Sequence, residues 1–248
     1  MMNQQTMEKL LELRLKGMSR AFEEQMNRGD MAEISFEERF GMIVDREWLL
    51  RQESRQKQRL KSAHLKQNAC VEDIDFRHPR ELDKSVILDL STCRWIRAKH
   101  NLILTGPTGV GKSWIACALA EKACREGLSA LYCRVQRLAH ELSIARADGG
   151  YLKLLAKLSK VDLLVLDDWG LSPLEGQSQH DLLEVVDDRA GIRSTLVTSQ
   201  LPVTKWHDMV ADPSVADALL DRLAGSAIKI HLKGGSMRKV DSEASIKG

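Results

Sequence analysis

Eight residues, Gly106-Pro107-Thr108-Gly109-Val110-Gly111-Lys112-Ser113, restrict this chain more than any other stretch in it. They fit G-x-x-x-x-G-K-[ST]: the glycines let the backbone turn sharply and aim several N–H groups at one point, the lysine reaches the β- and γ-phosphates of a nucleotide, and the hydroxyl meets Mg²⁺. The flanks agree. Residues 101–105 (Asn-Leu-Ile-Leu-Thr) read as a short buried strand entering the loop, and 114–121, rich in Ala, Ile and Leu, as a helix whose positive end faces the anion. The spacing therefore predicts a phosphate cradle formed by Gly106 to Ser113 and the following Trp114, with Lys112 as the cation.

A second apolar run, Val161-Asp162-Leu163-Leu164-Val165-Leu166, ends in Asp167-Asp168. That is the form of a parallel strand delivering carboxylates to the carboxyl edge of a sheet, the Walker B strand. With Ser113, Asp167 is the expected holder of Mg²⁺, which keeps most of its water and takes only one or two carboxylates. Asp168 is then placed to polarise the attacking water. Further strands are expected at 128–134, 194–199 and 227–232, with helices at 136–147, 151–160, 181–189, 205–210 and 215–224. Alternating strands and helices predict an α/β fold with a doubly wound, largely parallel sheet and nucleotide at its carboxyl edge.

Ahead of that core, apolar residues at three- and four-residue steps over 7–27 predict one amphipathic helix. Ser35-Phe36-Glu37-Glu38 has the form of a capping box that opens a second helix, with Phe36, Phe40, Ile43, Val44 and Leu50 placed to pack on the first. Residues 51–59 then contain no apolar side chain, so that stretch has no face to bury. Between Arg46 and Lys66 there are seven Lys/Arg against two Glu, in a chain whose net charge is only +2. Arg51, Arg55 and Arg59 share one helix face, and with Lys57 and Lys61 they form the candidate contact to a duplex phosphate backbone; the alternative is a solvated helix. The eleven aromatic residues are scattered, which argues against a stacking platform for single strands. Residues 82–97 return to helical spacing. The chain divides, on this reading, into a helical DNA- or partner-binding module at 1–75, a core at 76–232 and a terminal segment at 233–248.

Five cysteines form neither a C-x-x-C pair nor a metal-ligand pattern, and no apolar run is long enough to cross a bilayer. Both observations fit a cytoplasmic protein with reduced thiols and no membrane attachment.

Taken together, the P-loop, Leu164-Val165-Leu166-Asp167-Asp168-Trp169-Gly170-Leu171, Thr198-Ser199-Gln200-Leu201-Pro202-Val203 with Trp206-His207, Ala218-Leu219-Leu220-Asp221-Arg222-Leu223, and Lys233-Gly234-Gly235-Ser236-Met237-Arg238-Lys239 resemble the IstB-type transposition helper ATPases of insertion sequences. These are AAA+ proteins related to the DnaC helicase loader, and the resemblance covers nearly the whole chain. It implies an ATPase using ATP and Mg²⁺, assembled as a ring or helical homo-oligomer on duplex DNA, that recruits or activates a transposase of the same element. It assigns Gln200 to sensor 1, Arg222 to an arginine finger offered to a neighbour, and Arg238 to sensor 2. Where many AAA+ proteins carry Glu after the Walker B Asp, this chain has the shorter Asp168. Two alternatives stay open: a DnaC-like loader with a helicase as client, and a nucleotide-gated DNA-binding scaffold with negligible hydrolysis.

Overall fold

The structure, a computed structural model, describes residues 2–28 and 33–237. Five strands, β1 (Leu102–Thr105), β2 (Ala130–Arg134), β3 (Leu163–Trp169), β4 (Ser194–Ser199) and β5 (Ile228–His231), lie in the order β2-β3-β4-β1-β5, and each pairs in parallel with its neighbours. Parallel strands buried on both faces need apolar side chains in both directions. Leu102, Leu104, Leu163, Val165 and Leu196 face one layer, packed on helix α6 (Lys112–Arg125), α4 (Lys84–Ser91) and α5 (Arg94–Arg97). Ile103, Leu164, Leu166 and Val197 face the other, under α7 (Val135–Ala147), α8 (Tyr151–Lys160), α9 (Gln177–Asp187) and α10 (Pro213–Ala224). The expected doubly wound sheet is the observed one.

The chain forms two compact units, Met1–Gln58 and Arg59–Gly248. The division falls inside α3 (Phe36–Ala63), well ahead of the position 75 expected from composition. The cause is burial: Ala63, Ala69, Val71 and Ile74, with Leu60 and Leu65 against them, belong to the same apolar cluster as the sheet. The connector is therefore part of the core unit.

In the first unit the single helix expected at 7–27 is two, α1 (Met2–Glu12) and α2 (Lys16–Met26). Arg14 adopts a left-handed backbone with φ 58°, while Leu15 N donates to Leu10 O and Arg14 N to Leu11 O. That is the paired-bond helix stop in which glycine is the usual residue, so an arginine there gives no warning in sequence. Cys93, also left-handed with φ 56° and with its N–H on Leu90 O, divides the helix expected over 82–97 into α4 and α5. The capping box forms as expected: Glu38 N donates to Ser35 Oγ at 3.2 Å, and Ser35 N returns a bond to Glu38 Oε2 at 3.3 Å. Helix α3 runs antiparallel to α2, with Gln25 Nε2 donating to Arg39 O and Gly17 N to Glu47 Oε2. Of the side chains expected to pack there, Ile43 is buried, whereas Phe36, Phe40 and Val44 are exposed. Two short 3-10 turns, Val203–Lys205 and His207–Met209, replace the helix expected at 205–210. Trp206 between them is fully buried and donates Nε1–H to Leu201 O, which pins the chain in a tighter course than an α-helix would take.

Candidate nucleotide-binding site

The loop between β1 and α6 is set by its glycines. Gly106, Gly109 and Gly111 have φ of 144°, 83° and 96°, a region where a side chain is strained. Space excludes one as well: a Cβ on Gly106 would lie 2.3 Å from Leu232 O, on Gly109 2.2 Å from Ser236 Oγ, and on Gly111 2.6 Å from Arg80 Nη1. Four carbonyls of the loop are held. Lys112 Nζ donates to Gly106 O and Pro107 O at 2.7 and 2.8 Å, Met237 N to Gly109 O at 3.0 Å, and Arg80 Nη1 to Val110 O at 3.0 Å. Because a peptide plane is rigid, holding each carbonyl fixes the opposed N–H of the next residue. The N–H groups of Thr108, Val110 and Gly111 are aimed in this way, at the head of α6, where an anion is stabilised by the helix end. Burial pushes the Lys112 ammonium below its ordinary value, against the pull of Asp167 and Asp168.

Asp167 and Asp168 are adjacent and treated in opposite ways. Asp167 is fully buried. Its carboxylate accepts from Ser113 Oγ at 2.8 Å, from Thr198 Oγ1 and Tyr132 OH in short contacts, and from Lys66 Nζ at 3.5 Å. Burial alone raises the pKa of such a group, but the bonds from Thr198, Tyr132 and Ser113 and the Lys66 charge prevail, and the carboxyl lies below its ordinary value. Beyond Leu166 the pairing of β3 with β4 slips in a bulge, and Asp168 takes a left-handed backbone with φ 64°. A bulge re-aims a side chain, and here it turns Asp168 toward the nucleotide cavity. Its carboxylate lies 4.0 Å from Arg134 Nε.

A cavity of about 600 Å³ brings together Thr108, Gly109, Gly111, Lys112, Ser113, Trp114, Asp168 and Gln200. Gly106 and Val110 are buried beneath the loop, and Pro107 is exposed on it. Arg222 lies elsewhere, at the end of α10, where Nε pairs with Asp187 of the same chain and Nη1 donates to Ala218 O at 3.3 Å. Arg238 lies outside the described residues. Of the five candidate DNA-contacting residues on α3, Arg51, Arg55, Lys57 and Lys61 are exposed. Arg51 is turned along the helix to Glu47 at 2.6 Å. Arg59 is not a free surface cation, because its Nε donates to Cys124 O at 2.9 Å and the side chain is partly buried.

Residue patterns did not disclose four participants. Lys66 was counted only as part of a basic stretch, yet it is the counter-ion of Asp167. Tyr132 and Thr198 hydrogen-bond the same carboxylate from β2 and β4. Arg80 is 2% exposed, and besides Val110 it holds Asp75 O and Met237 Sδ, each at 2.9 Å. Burial lowers its pKa, with Asp75 opposing.

Glycines that admit no Cβ, a buried lysine at the loop, and a buried carboxylate bonded to the first helical hydroxyl suit a nucleotide triphosphate with its metal. The profile of the family described as IstB-like ATP binding protein matches residues 8–245. An insertion-sequence ATP-binding protein, y4pL, from Sinorhizobium fredii is 47% identical over 94% of this chain and 96% of its own length. That of insertion sequence IS1162 from Pseudomonas fluorescens is 54% identical over 82% of this chain and 88% of its own. Among solved structures, the DnaC helicase loader superposes with a TM-score of 0.55 at 18% identity, over 67% of this chain and 97% of that one, a likeness of fold. With a P-loop core and relatives matched over most of their length, the chain belongs to the IstB-like ATP-binding proteins of insertion sequences.

Proposed function

We infer that the protein hydrolyses ATP and uses the cycle to control DNA transposition. The observation that carries this is the bulge separating Asp167 from Asp168: one carboxylate is locked among hydroxyls next to the P-loop, and the other faces the cavity with Gln200. Loop N–H groups and Lys112 would hold the phosphates, and Ser113 with Asp167 the metal. Bound Mg²⁺ supplies charge neutralisation at the β- and γ-phosphates. Asp168 accepts the proton of a water aligned by Gln200, the water oxygen bonds to the γ-phosphorus, and the bond to the ADP oxygen breaks. Asp168→Asn should keep nucleotide affinity and stop turnover. A fall in ATP binding as large as that of Lys112→Ala would overturn this division of roles.

The family's place in insertion sequences supports a transposase as client and duplex DNA as substrate. Exposed Arg55, Lys57 and Lys61 suit a phosphate backbone. Arg222 is the finger offered to a neighbouring copy in a head-to-tail assembly. Its pair with Asp187 is partly exposed, and such pairs are worth only about 0–1 kcal/mol, so exchanging it for a neighbour's phosphate is cheap. Turnover per molecule should then rise with protein concentration and with duplex length, and Arg222→Ala should lose that rise at unchanged nucleotide affinity. Turnover indifferent to both would remove the finger and the assembly together.

A further inference from the structure

A second cleft, of about 540 Å³, opens along the edge strand β2, next to the Walker B strand. It is lined by Lys66, Arg134, Arg137 and Lys157 against a single carboxylate, Glu141, over a floor that includes Tyr132. The four cations come from four places: the segment after α3, the end of β2, α7 and α8. Arg137 and Lys157 are exposed, and the Arg137 pair with Glu141 is an exposed i,i+4 contact of little strength. Two of the cations answer the carboxylates of the nucleotide site, Lys66 at 3.5 Å from Asp167 and Arg134 at 4.0 Å from Asp168; Arg137 and Lys157 do not.

The cleft and the nucleotide cavity share one wall. Lys66 lines both and reaches Asp167 at 3.5 Å, and Tyr132 on the cleft floor donates to the same carboxylate. We propose that this cleft takes the phosphodiester backbone of DNA and that Lys66 couples its occupancy to the nucleotide site. The proposal rests on the DNA-dependent ATPase reading above and adds to it a second contact surface and a means of signalling. A backbone phosphate in the cleft competes with Asp167 for the Lys66 ammonium. Drawn toward the phosphate, Lys66 leaves Asp167 with more of its charge for the metal that accompanies ATP. The effect must be reciprocal: by whatever factor DNA tightens nucleotide, nucleotide tightens DNA.

The experiment is a titration of the full chain with fluorescent, non-hydrolysable ATP, with and without a 20-base-pair duplex of arbitrary sequence and with and without Mg²⁺. Duplex should tighten Mg²⁺-dependent nucleotide binding by about five-fold or more, the lower end of usual couplings between sites, and do nothing in EDTA. Lys66→Met should bind nucleotide without DNA about as tightly as the wild type does with it, and should show no further gain. Lys66→Arg should keep the coupling. Independently, Arg137→Glu with Lys157→Glu should lower the slope of log DNA affinity against log salt by about one per lost contact, at unchanged nucleotide affinity and unchanged thermal midpoint. A wild-type salt slope in the double variant, or undiminished coupling in Lys66→Met, overturns the cleft while leaving the ATPase reading intact. Inorganic phosphate reproducing the duplex effect at equal phosphate concentration assigns the cleft to a small anion and overturns the backbone assignment. No duplex binding by the wild type removes both the cleft and the DNA role proposed above.

Discussion

Upstream of Gln58 the chain leaves its largest apolar side chains in water; downstream it encloses them. Phe36, Phe40, Val44 and Trp48 recur every four residues on one side of α3 and are 68, 50, 42 and 59% exposed. Trp95, Trp169 and Trp206 in the second unit are all buried. The first unit compensates with polar clamps. Glu47, buried among helices, accepts from Gly17 N at 2.6 Å, Met18 N at 3.2 Å and Arg51. Gly17 allows the approach, since a Cβ there would lie 2.6 Å from Glu47 Cα. The difference teaches that one unit is held by a sheet core, with a buried lysine and a buried carboxylate at its P-loop, whereas the other is held by a few polar contacts and has apolar surface left over.

Changes at four positions sharpen or break that comparison. Asp167→Ala should be the most costly, about 3–5 kcal/mol by denaturant midpoint of the second unit, because Lys66 loses its counter-charge and three hydroxyls lose their acceptor. The same carboxylate sets a pH dependence. Its folded pKa lies below the ordinary 3.8, so its contribution is fully present above that value and is lost as pH falls through the folded one. Asp167→Asn should accordingly flatten the acid limb of stability below about pH 4; an unaltered limb would show that Asp167 is not the titrating group.

Lys112→Ala comes next, with ATP affinity reduced by about 100-fold, the scale of one strong charge-assisted contact, and with amide exchange in α2 and α3 unchanged. Slower or faster exchange there would tie the two units together. Gly17→Ala should cost about 1–3 kcal/mol by forcing α2 from α3, read as faster exchange in those helices at constant nucleotide affinity. Smallest of all, Trp48→Ala should move stability by no more than about 0.5 kcal/mol, as for other exposed positions. A shift of several degrees in the thermal midpoint would mean that the apolar stripe is covered, and the contrast between the units would fail.

The parts of the site that were legible in sequence are those where one residue type satisfies one local demand. Glycine at positive φ, lysine after it, and two acids closing an apolar run give the P-loop and β3 directly, and the strand at 194–199 and the helix at 151–160 have the expected bounds. What was not legible depends on partners distant in sequence or on residues in uncommon backbone states. Lys66 lies 101 residues before Asp167, and Arg80 lies 30 before Val110. Arg14 and Cys93 stop helices without being glycine. Arg59 carries the charge and spacing of a DNA contact, and only the fold reveals that a carbonyl on α6 has taken it.

The four P-loop carbonyls already held by Lys112, Met237 or Arg80 have a consequence in entropy. Ordering a free backbone costs roughly 1–2 kcal/mol per residue, and a loop that closed only around its ligand would take that cost out of affinity. Here the cost falls on folding, and the instrument is the segment at Leu232–Met237 laid against Gly106 and Gly109. A chain cut short before Leu232 would retain every residue of the P-loop motif, yet its loop would be a floppy one. Nucleotide would then bind more weakly, with a more unfavourable entropy in calorimetry.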